Sequence, residues 1–362
     1  MRILFLTLRA DIGGGPEHLC QLLQHLPSDI EPIVACPRDE PYFSRYSTLV
    51  GAGNVLTVPH RTFRLGALFQ LARAVRARNV DLVHSHGKGA GIYSRLLSLQ
   101  TGVPSVHTFH GLHVGEYGAV KKALYLLVER ILGWFTTSAI CVSDGERQLI
   151  EAARFIAPEK LRTVVNGVAI PQQRPPIGLP PPLRIISVSR YDHQKYPELV
   201  VDIANVLRRL HPQLSFLISV LGDGDQRHRC QELIDGASLG DFVHLPGPTS
   251  HPRDAFRNAH VYLSTSRWEG MPLAVLEAMS EGLPVVATDV VGNRDVVRDG
   301  KNGLLFPLNE PETAAASLVA MSETSLRTAA GQKAREMVEK HYSVAQMAAK
   351  TAAVYDEIAR RG

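Results

Sequence analysis

The segment 264–279, STSRWEGMPLAVLEAM, carries two carboxylates at a spacing of eight residues, Glu269 and Glu277. Between them lies Pro272, which suits the first position of a helix because its missing N–H has no intrahelical partner there. The apolar run that follows predicts a helix ending near Gly282. Two interpretations stay open. Either one carboxylate marks the helix start and the other is a solvated charge, or both accept hydrogen bonds from hydroxyl groups of a polar ligand.

The start of this predicted helix suits an anion. The helix follows an apolar strand, VYLSTS, and its first amides belong to Met271, Leu273 and Ala274. Unpaired N–H groups and the positive end of the helix dipole attract phosphate. With a phosphate in that place, Glu277 lies within reach of an attached ribose. The segment therefore suits a nucleotide sugar.

Two basic side chains follow an earlier strand of the same half of the chain. Arg190 and Lys195 lie in the stretch SVSRYDHQKYPELV. Fixed positive charges opposite a departing diphosphate lower the barrier to its departure. Ordinary exposed charges at a strand end have the same appearance in a sequence. Taken alone, the two residues fit that plainer interpretation as well.

A glycine triplet, Gly13, Gly14 and Gly15, follows the first strand and opens a helix. Glycines at such a point let backbone N–H groups approach an anion at the helix end, although they also simply permit a tight turn. The dinucleotide fingerprint G-x-G-x-x-G needs a glycine where this chain has His18, so a dehydrogenase loses its main support. The absence of GxxxxGK[ST] from the sequence excludes the P-loop nucleotidases.

Histidines recur at a spacing of three residues in VHTFHGLH, at His107, His110 and His113, with His84 and His86 nearby. A metal site is disfavoured because the run spans a strand end and a loop rather than one helix face, and no cysteine is near enough to complete it. We therefore predict no metal centre here.

The composition describes an ordinary globular chain of two domains. It has 362 residues, 45% of them hydrophobic and 20% charged, which is too long for one typical core. No apolar run reaches the length of a membrane span, and the N-terminus lacks the features of a signal peptide. Four well-separated cysteines without a CxxC favour free thiols in a reducing cytoplasm.

Short apolar strands alternate with amphipathic helices in the first half, as in parallel sheets buried on both faces. The predicted strands of this half are 2–8, 31–36, 80–85, 104–109, 138–142 and 161–165. A stretch with six prolines in twelve residues follows and cannot continue a helix or a central strand. The same alternation restarts after it.

This pattern predicts two doubly wound α/β domains. The predicted parts are a Rossmann-like acceptor-side domain over 1–170, a linker over 171–182, a second Rossmann-like domain that binds the nucleotide sugar over 183–342 and a C-terminal helix over 343–362. Two such lobes joined by a hinge are expected to face a cleft, and open α/β sheets bind ligands at the carboxyl ends of their strands.

Positive charge is concentrated in the first half. Residues 1–170 hold 18 Lys and Arg against 13 Asp and Glu, whereas the remainder holds 21 against 22. The excess includes the arginines of 61–78, and Lys121 and Lys122 precede the apolar stretch ALYLLVERILGWF. Either this is a basic amphipathic face that an anionic membrane attracts, or it is a solvated helix face. Nucleic-acid binding is disfavoured because stacking aromatics are not interleaved with the basic residues.

From Arg190 to Leu305 the sequence resembles the retaining glycosyltransferases of family 4, which have the GT-B fold. The resemblance is carried by the basic SR…K loop, V-x-L-x-G at 243–247, E-G-x-x-L-x-x-x-E from 269, A-M-x-x-G-x-P-V-V-A-T from 278 and D-G-x-N-G-x-L-F from 299. The first half agrees more loosely through its glycine loop, HTFHG, ICVS and VVNGV. The resemblance covers essentially the whole chain, and in this fold the C-terminal helix is expected to return to the first domain.

The resemblance implies roles for the residues singled out in the second half. Arg190 and Lys195 would bind the donor diphosphate. Glu277 would hold the ribose hydroxyls, and Glu269 would contact the transferred sugar. Thr249 lies where the base is held, mostly by backbone.

Backbone groups and the first half complete the implied donor site. The amides of Gly270, Met271 and Leu273 would assist at the phosphates. Gly14 and Gly15 would face the phosphates and the acceptor from the other lobe. His110 matches the family's active-site histidine, which touches the donor sugar near the anomeric centre. The chain departs from many relatives at Pro272, where they have glycine, so one potential phosphate-binding N–H is lost.

The resemblance implies transfer of a hexose or N-acetylhexosamine from a nucleoside diphosphate sugar to a lipid-linked glycan acceptor, with retention at the anomeric carbon. The HTFHG segment favours UDP over GDP. No metal or other cofactor is expected. The expected setting is surface polysaccharide biosynthesis, such as lipopolysaccharide or exopolysaccharide, in the cytoplasm or on the inner face of the plasma membrane. The alternatives are a sugar-nucleotide epimerase of the same fold and a non-catalytic sugar-nucleotide-binding protein.

Overall fold

Two units make up the chain in the computed structural model, which describes residues 1–112, 118–172, 181–249 and 251–360. One unit combines Met1–Gly167 with Val344–Gly362, and the other spans Val168–Ser343. Each unit has its own parallel sheet. Residues 173–180, most of the predicted linker, lie outside the described residues.

The first unit contains a parallel sheet of seven strands in the order β3-β2-β1-β4-β5-β6-β7. Its strands are β1 (Arg2–Thr7), β2 (Glu31–Cys36), β3 (Val55–Thr57), β4 (Leu82–His86), β5 (Ser105–Thr108), β6 (Ser138–Cys141) and β7 (Leu161–Thr163). The sequence predicts six of these. It misses β3, a three-residue edge strand that is too short to show alternation.

Helices cover both faces of this sheet, together with two short 3₁₀ helices at Ala52–Asn54 and Pro158–Lys160. The α-helices of the unit are α1 (Gly14–Gln24), α2 (Tyr42–Val50), α3 (Leu65–Ala77), α4 (Lys88–Thr101), α5 (Ala119–Trp134), α6 (Asp144–Ala153) and, from the end of the chain, α14 (Val344–Ala359).

Strand β1 shows why these residues form a sheet buried on both faces. Successive side chains of a strand point to opposite faces. Ile3 and Phe5 belong to one buried cluster, and Leu4 and Leu6 belong to another. The near-continuous hydrophobicity of this strand is therefore used twice, as parallel sheets require.

The last helix, α14, belongs to the first unit although it follows the second unit in the chain. Met347 and Tyr355 are buried in the same cluster as Phe5. The Tyr355 hydroxyl lies 2.6 Å from Nδ1 of His84 on β4, and Arg162 pairs with Glu357 at 2.6 Å.

The second unit contains a parallel sheet of six strands in the order β10-β9-β8-β11-β12-β13. Its strands are β8 (Leu183–Val188), β9 (Phe216–Leu221), β10 (Val243–Gly247), β11 (Val261–Ser264), β12 (Val285–Thr288) and β13 (Gly303–Phe306). Its helices are α7 (Glu198–Leu210), α8 (Arg227–Gly236), α9 (Pro252–Arg257), α10 (Leu273–Ser280), α11 (Asn293–Val296), α12 (Pro311–Ala320) and α13 (Thr324–His341).

The four cysteines are all buried as free thiols. Among the described residues, no helix is both long enough and apolar enough to cross a membrane.

Candidate functional site

Lys195 and Glu269 form an ion pair in the second unit. Lys195 lies on the loop after β8 and Glu269 on the loop after β11, and these two strands are neighbours in the sheet. Both loops therefore leave the sheet at its carboxyl edge, where α/β folds place their ligands. Lys195 Nζ donates to Glu269 Oε1 at 2.5 Å, with 20% and 7% of the two side chains exposed.

Glu269 is held on several sides. Ser266 Oγ donates to the same Oε1 at 2.6 Å, and the Glu269 backbone N–H donates to Val291 at 3.2 Å. Gly292 has φ +87°, and a Cβ there would lie 2.6 Å from the Glu269 Cβ. Only glycine fits so close an approach with this φ. Gly292 is not among the predicted site residues, and its only signal in the sequence is a glycine that follows the strand PVVAT.

Arg190 is tied to the loop that carries Glu269 through Gln194. Arg190 pairs with Asp192 at 2.9 Å and donates to Gln194 Oε1 at 3.2 Å. Gln194 Nε2 in turn donates to the Trp268 carbonyl at 3.1 Å. Arg190 and Lys195 thus sit on one braced loop rather than on a free strand end. Gln194 was not among the predicted site residues.

A second glycine loop, at 222–224 after β9, packs against the loop of Arg190. A Cβ at Gly222 would lie 1.9 Å from the Ser189 carbonyl oxygen, and one at Gly224 would lie 2.4 Å from that of Tyr191. Both glycines have φ in the left-handed half, at +140° and +156°. This loop is not among the predicted site segments, although G-D-G after an apolar strand is its signal in the sequence.

The charges of Glu277 and Glu269 both influence the buried hydroxyl of Tyr262. Burial raises the pKa of Tyr262 well above its ordinary value, and the charges of both carboxylates raise it further. The Tyr262 hydroxyl donates to the Val188 carbonyl at 3.1 Å, at the end of β8. The two glutamates of the predicted motif therefore lie in one neighbourhood.

Helix α10 begins one residue later than predicted. It starts at Leu273, and Pro272 is its N-cap with extended backbone. The preceding Gly270 and Met271 are buried, as is the Leu273 side chain. The first-turn amides of the helix have no carbonyl partners within it.

Thr249, predicted near the nucleotide base, follows β10 and is exposed. Its hydroxyl accepts a hydrogen bond from the backbone N–H of His251 at 3.1 Å. This bond supports the local turn.

In the first unit, Gly14 and Gly15 lie in the first turn of α1, so the glycine triplet does open this helix. The close approach is made by Gly13, where a Cβ would lie 2.9 Å from an Arg9 guanidinium nitrogen. Arg9 is held by Asp11 at 2.7 Å. Gly15 has open space around it.

The structure does not bring together the three histidines of the VHTFHGLH run. His107 lies in β5 with its Nδ1 2.9 Å from the Ser85 hydroxyl, and His113 lies outside the described residues. His110 instead meets His86, at the end of β4, and His18, on α1. Candidate ligand nitrogens of these three all lie within 4.8 Å of one another. In the sequence, His18 stands out only as the residue that interrupts the dinucleotide glycine motif.

Contacts fix the His110 segment in place. His110 Nε2 lies 3.4 Å from His86 Nδ1, and the rings of His110 and His18 meet edge to face at 4.8 Å. Immediately after His110, the Gly111 N–H donates to the buried Glu146 carboxylate at 2.5 Å. Burial lowers the pKa of His18 to about 4 and holds that of His110 well below its ordinary value. These imidazoles are neutral at pH 7.

Two family models match the chain along most of its length. Residues 12–170 match the one described as Glycosyltransferase Family 4, and residues 170–337 match the one described as Glycosyl transferases group 1.

Relatives that match the chain have related descriptions. A D-inositol 3-phosphate glycosyltransferase of Thermobispora bispora is 30% identical over 78% of this chain and 71% of its own. A UDP-Gal:alpha-D-GlcNAc-diphosphoundecaprenol alpha-1,3-galactosyltransferase of Escherichia coli is 26% identical over 80% of this chain and 78% of its own.

Solved structures share the fold. Anabaena Alr3699/HepE, in complex with UDP and glucose, superposes with a TM-score of 0.84 at 17% identity, covering 99% of this chain and 100% of that one. Sucrose-phosphate synthase from Thermosynechococcus elongatus superposes with a TM-score of 0.81 at 20% identity, and the match covers 100% of both chains.

Proposed function

The chain belongs to the GT-B glycosyltransferases that combine a family 4 domain with a group 1 domain, and we propose that it transfers a hexose or N-acetylhexosamine from a UDP-sugar to a lipid-linked glycan acceptor. It is a glycosyltransferase that acts on sugar nucleotides in polysaccharide or glycolipid biosynthesis. The proposed setting is surface polysaccharide assembly, in the cytoplasm or at the inner face of the plasma membrane. Transfer is proposed to proceed with retention.

The observation that carries this proposal is the braced pair of Lys195 and Glu269 beside the start of α10. Lys195 and Arg190 supply fixed positive charge for a leaving diphosphate, which lowers the barrier where negative charge develops. The N-terminal amides of α10 add a partial positive charge to that of the two basic side chains. Because these groups are already positioned, they need little reorganisation when the bond breaks.

The two glutamates are proposed to bind different parts of the donor. Glu277 is proposed to accept hydrogen bonds from the ribose hydroxyls, and Glu269 to accept them from the transferred sugar. When the diphosphate takes the Lys195 ammonium, one carboxylate oxygen of Glu269 becomes available to the sugar. His110 is proposed to contact the sugar near its anomeric carbon as a neutral imidazole, and Thr249 to lie beside the base.

No metal is proposed in the transfer step. Two basic side chains and a helix N-terminus can neutralise a diphosphate, the task for which other transferases use a divalent cation. UDP is favoured as the nucleotide because HepE is described in complex with UDP and glucose and the E. coli relative is described as using UDP-galactose. A GDP-sugar is the alternative donor.

An anionic membrane surface is the proposed partner of α5. This helix buries Glu129 and Leu132 but exposes most of its other apolar side chains, with Trp134 exposed at 75% and Val120 at 84%. Glu129 pairs with buried Arg95 of α4 at 3.0 Å, which holds the helix in this orientation. Exposed Lys121 and Lys122 add positive charge near the apolar face, the combination that binds anionic lipid.

The proposal is tested with purified protein, a panel of UDP- and GDP-sugars and acceptors linked to undecaprenyl diphosphate. We expect nucleoside diphosphate release from one donor that depends on an acceptor, with a glycosylated lipid as the product and no loss of rate in EDTA. Conversion of the sugar nucleotide without any acceptor would contradict transfer and favour the epimerase. Donor binding without turnover on any acceptor of the panel would favour a binding protein.

A further inference from the structure

Three imidazoles, those of His18, His86 and His110, converge at the carboxyl ends of β4 and β5 in the first unit; we call them the histidine cluster. Their candidate ligand nitrogens lie within 4.8 Å of one another, and His86 Nδ1 lies 3.4 Å from His110 Nε2. Two nitrogens bound to one tetrahedral zinc ion, each at about 2.0–2.1 Å, are separated by about 3.3 Å. The spacing of His86 and His110 already approaches that value.

An unsatisfied nitrogen in the cluster indicates a ligand. His18 and His86 are only 3% and 4% exposed. His18 Nδ1 is buried with no hydrogen-bond partner among the described residues. Buried polar side-chain atoms are normally paired with protein, water or an ion. Neighbouring His84 shows the ordinary case, since Tyr355 and Thr108 satisfy its two nitrogens.

The three imidazole side chains determine which metal ion the cluster can bind. Neutral imidazole suits zinc and similar transition metals, whereas calcium and magnesium need oxygen donors. The cluster contains no carboxylate among the described residues. We propose that His18, His86 and His110 bind one Zn²⁺ ion, which leaves its fourth position to water.

The surroundings restrict the three rings before any ion arrives. His86 ends β4, and the Glu146 carboxylate holds the segment after His110 through the Gly111 N–H. His18 lies on α1, with the Asn166 side chain beside it. Groups that orient the ligands contribute to metal affinity because less motion is lost on binding.

Zinc at this place inhibits transfer, a consequence that rests on the proposed function. The ion takes the His110 lone pair that is otherwise available to the donor sugar. Zinc bound there therefore lowers the transfer rate. Because transfer itself is proposed to need no metal, a chelator that removes the zinc restores this rate. Binding of the ion does not depend on the transferase activity, so it is measured separately.

Equilibrium dialysis of the chelator-treated chain against ZnCl₂ tests the site, with Co²⁺ absorption as a second reading of nitrogen coordination. We expect one ion per wild-type chain. His18→Gln and His86→Gln should each weaken binding by at least about tenfold, the scale even for loss of an outer-shell partner. His228→Gln is the matched control, because His228 is exposed on α8 and lies 3.4 Å from Glu232; it should bind like wild type.

Each outcome decides the proposal. No stoichiometric zinc in the wild type, or equal affinity in His18→Gln and His228→Gln, overturns the site. If the two buried variants unfold, His110→Gln replaces them, since its ring is only half-buried, and wild-type affinity in that variant overturns it too. Zinc should also raise the melting temperature of the wild type by mass action. Zinc binding with an unchanged transfer rate overturns the inhibition alone, whereas zinc binding without any transferase activity contradicts the proposed function.

Discussion

At the scale of single residues, the two glutamates of the 269–277 motif have different surroundings although both influence Tyr262. Glu269 is buried and bound by Lys195 and Ser266. Glu277 is half-buried on α10. The spacing leaves open whether both carboxylates face one ligand, whereas these contacts distinguish the two residues: Glu269 is paired with Lys195, and Glu277 is not fully buried.

We expect Glu277→Gln to weaken binding of both free UDP and the intact donor, because both carry the ribose. The loss should be about 1.5–3 kcal/mol, the range for hydrogen bonds to a charged group. Glu269→Gln should leave UDP affinity nearly unchanged and reduce turnover. Calorimetric titration of each variant measures this, with Glu336→Gln on α13 as the control. Equal losses of UDP affinity in both variants would contradict the division of roles.

Lys195→Ala should lower turnover by about two to three orders of magnitude, the scale for losing one preorganised group at a transition state. Arg190→Ala should act in the same direction. Lys333→Ala removes an exposed lysine that pairs with Glu336 and should leave the rate unchanged. Steady-state rates at saturating acceptor decide the matter, and an unaltered rate in Lys195→Ala removes the diphosphate assignment.

At the scale of elements, the site depends on loops whose backbones approach one another closely. Gly292 approaches the backbone of Glu269, and Gly222 approaches that of Ser189. The sequence predicts the strands, the order of the motifs and the helix after Pro272, because these follow from local periodicity and from capping. It does not predict Gly292, Gln194 or His18, because each acts through a residue far away in the chain.

Gly292→Ala tests this packing against a matched control. Gly292 and Gly300 both have positive φ, +87° and +70°, but a Cβ meets Glu269 only at the former. Alanine at Gly300 should cost about 1–2 kcal/mol of unfolding free energy from its backbone conformation. Alanine at Gly292 should cost more and also lower turnover, because Glu269 must shift. Denaturant unfolding and steady-state rates measure both effects, and identical behaviour of the two variants would contradict the contact.

The buried histidines of β4, β5 and α1 make the stability of the first unit depend on pH. Burial depresses their pKa values, to about 3 for His84 and well below the ordinary value for His107. The unfolded chain therefore binds more protons, and the free energy of unfolding should fall as the pH drops below about 6.5. His107→Gln should flatten this slope by up to about 1.4 kcal/mol per pH unit. Denaturant unfolding in EDTA between pH 7 and pH 5 measures it, and an unchanged slope would contradict the assignment.

At the scale of the whole molecule, the chain repeats one architecture twice. The sequence predicts this from the alternation of strands and helices before and after the prolines. It also places a helix at the C-terminus, but the contacts of Tyr355 with β4 need the folded unit. The short strand β3 was missed for a related reason. Its three residues acquire extended structure by pairing with β2, and no local sequence pattern predicts such a pairing.

The outer surface of the first unit joins charge and exposed apolar side chains on three neighbouring helices. Helix α4 contacts both α3 and α5. Leu65 and Phe69 on α3 are exposed, as are Leu124 and Leu127 on α5. Exposed arginines of α3 and lysines of α5 add positive charge on the same two helices. A solvated helix face normally exposes only its polar side, whereas α5 exposes leucines beside its lysines and buries Glu129.

Binding to vesicles distinguishes a lipid-facing surface from a solvated one. We expect the chain to bind anionic vesicles, to bind neutral ones poorly and to be released as salt rises, because exposed charges are screened within about 10 Å at 0.1 M salt. The double variant Leu124→Gln, Leu127→Gln should weaken binding by removing apolar burial, while the charge stays the same. Leu210→Gln is the control, since Leu210 is an exposed leucine of the second unit. Flotation with sucrose gradients measures the bound fraction. Equal binding to both vesicle types, or equal binding by the double variant and the control, would mean that the basic excess of the first half is a solvated face.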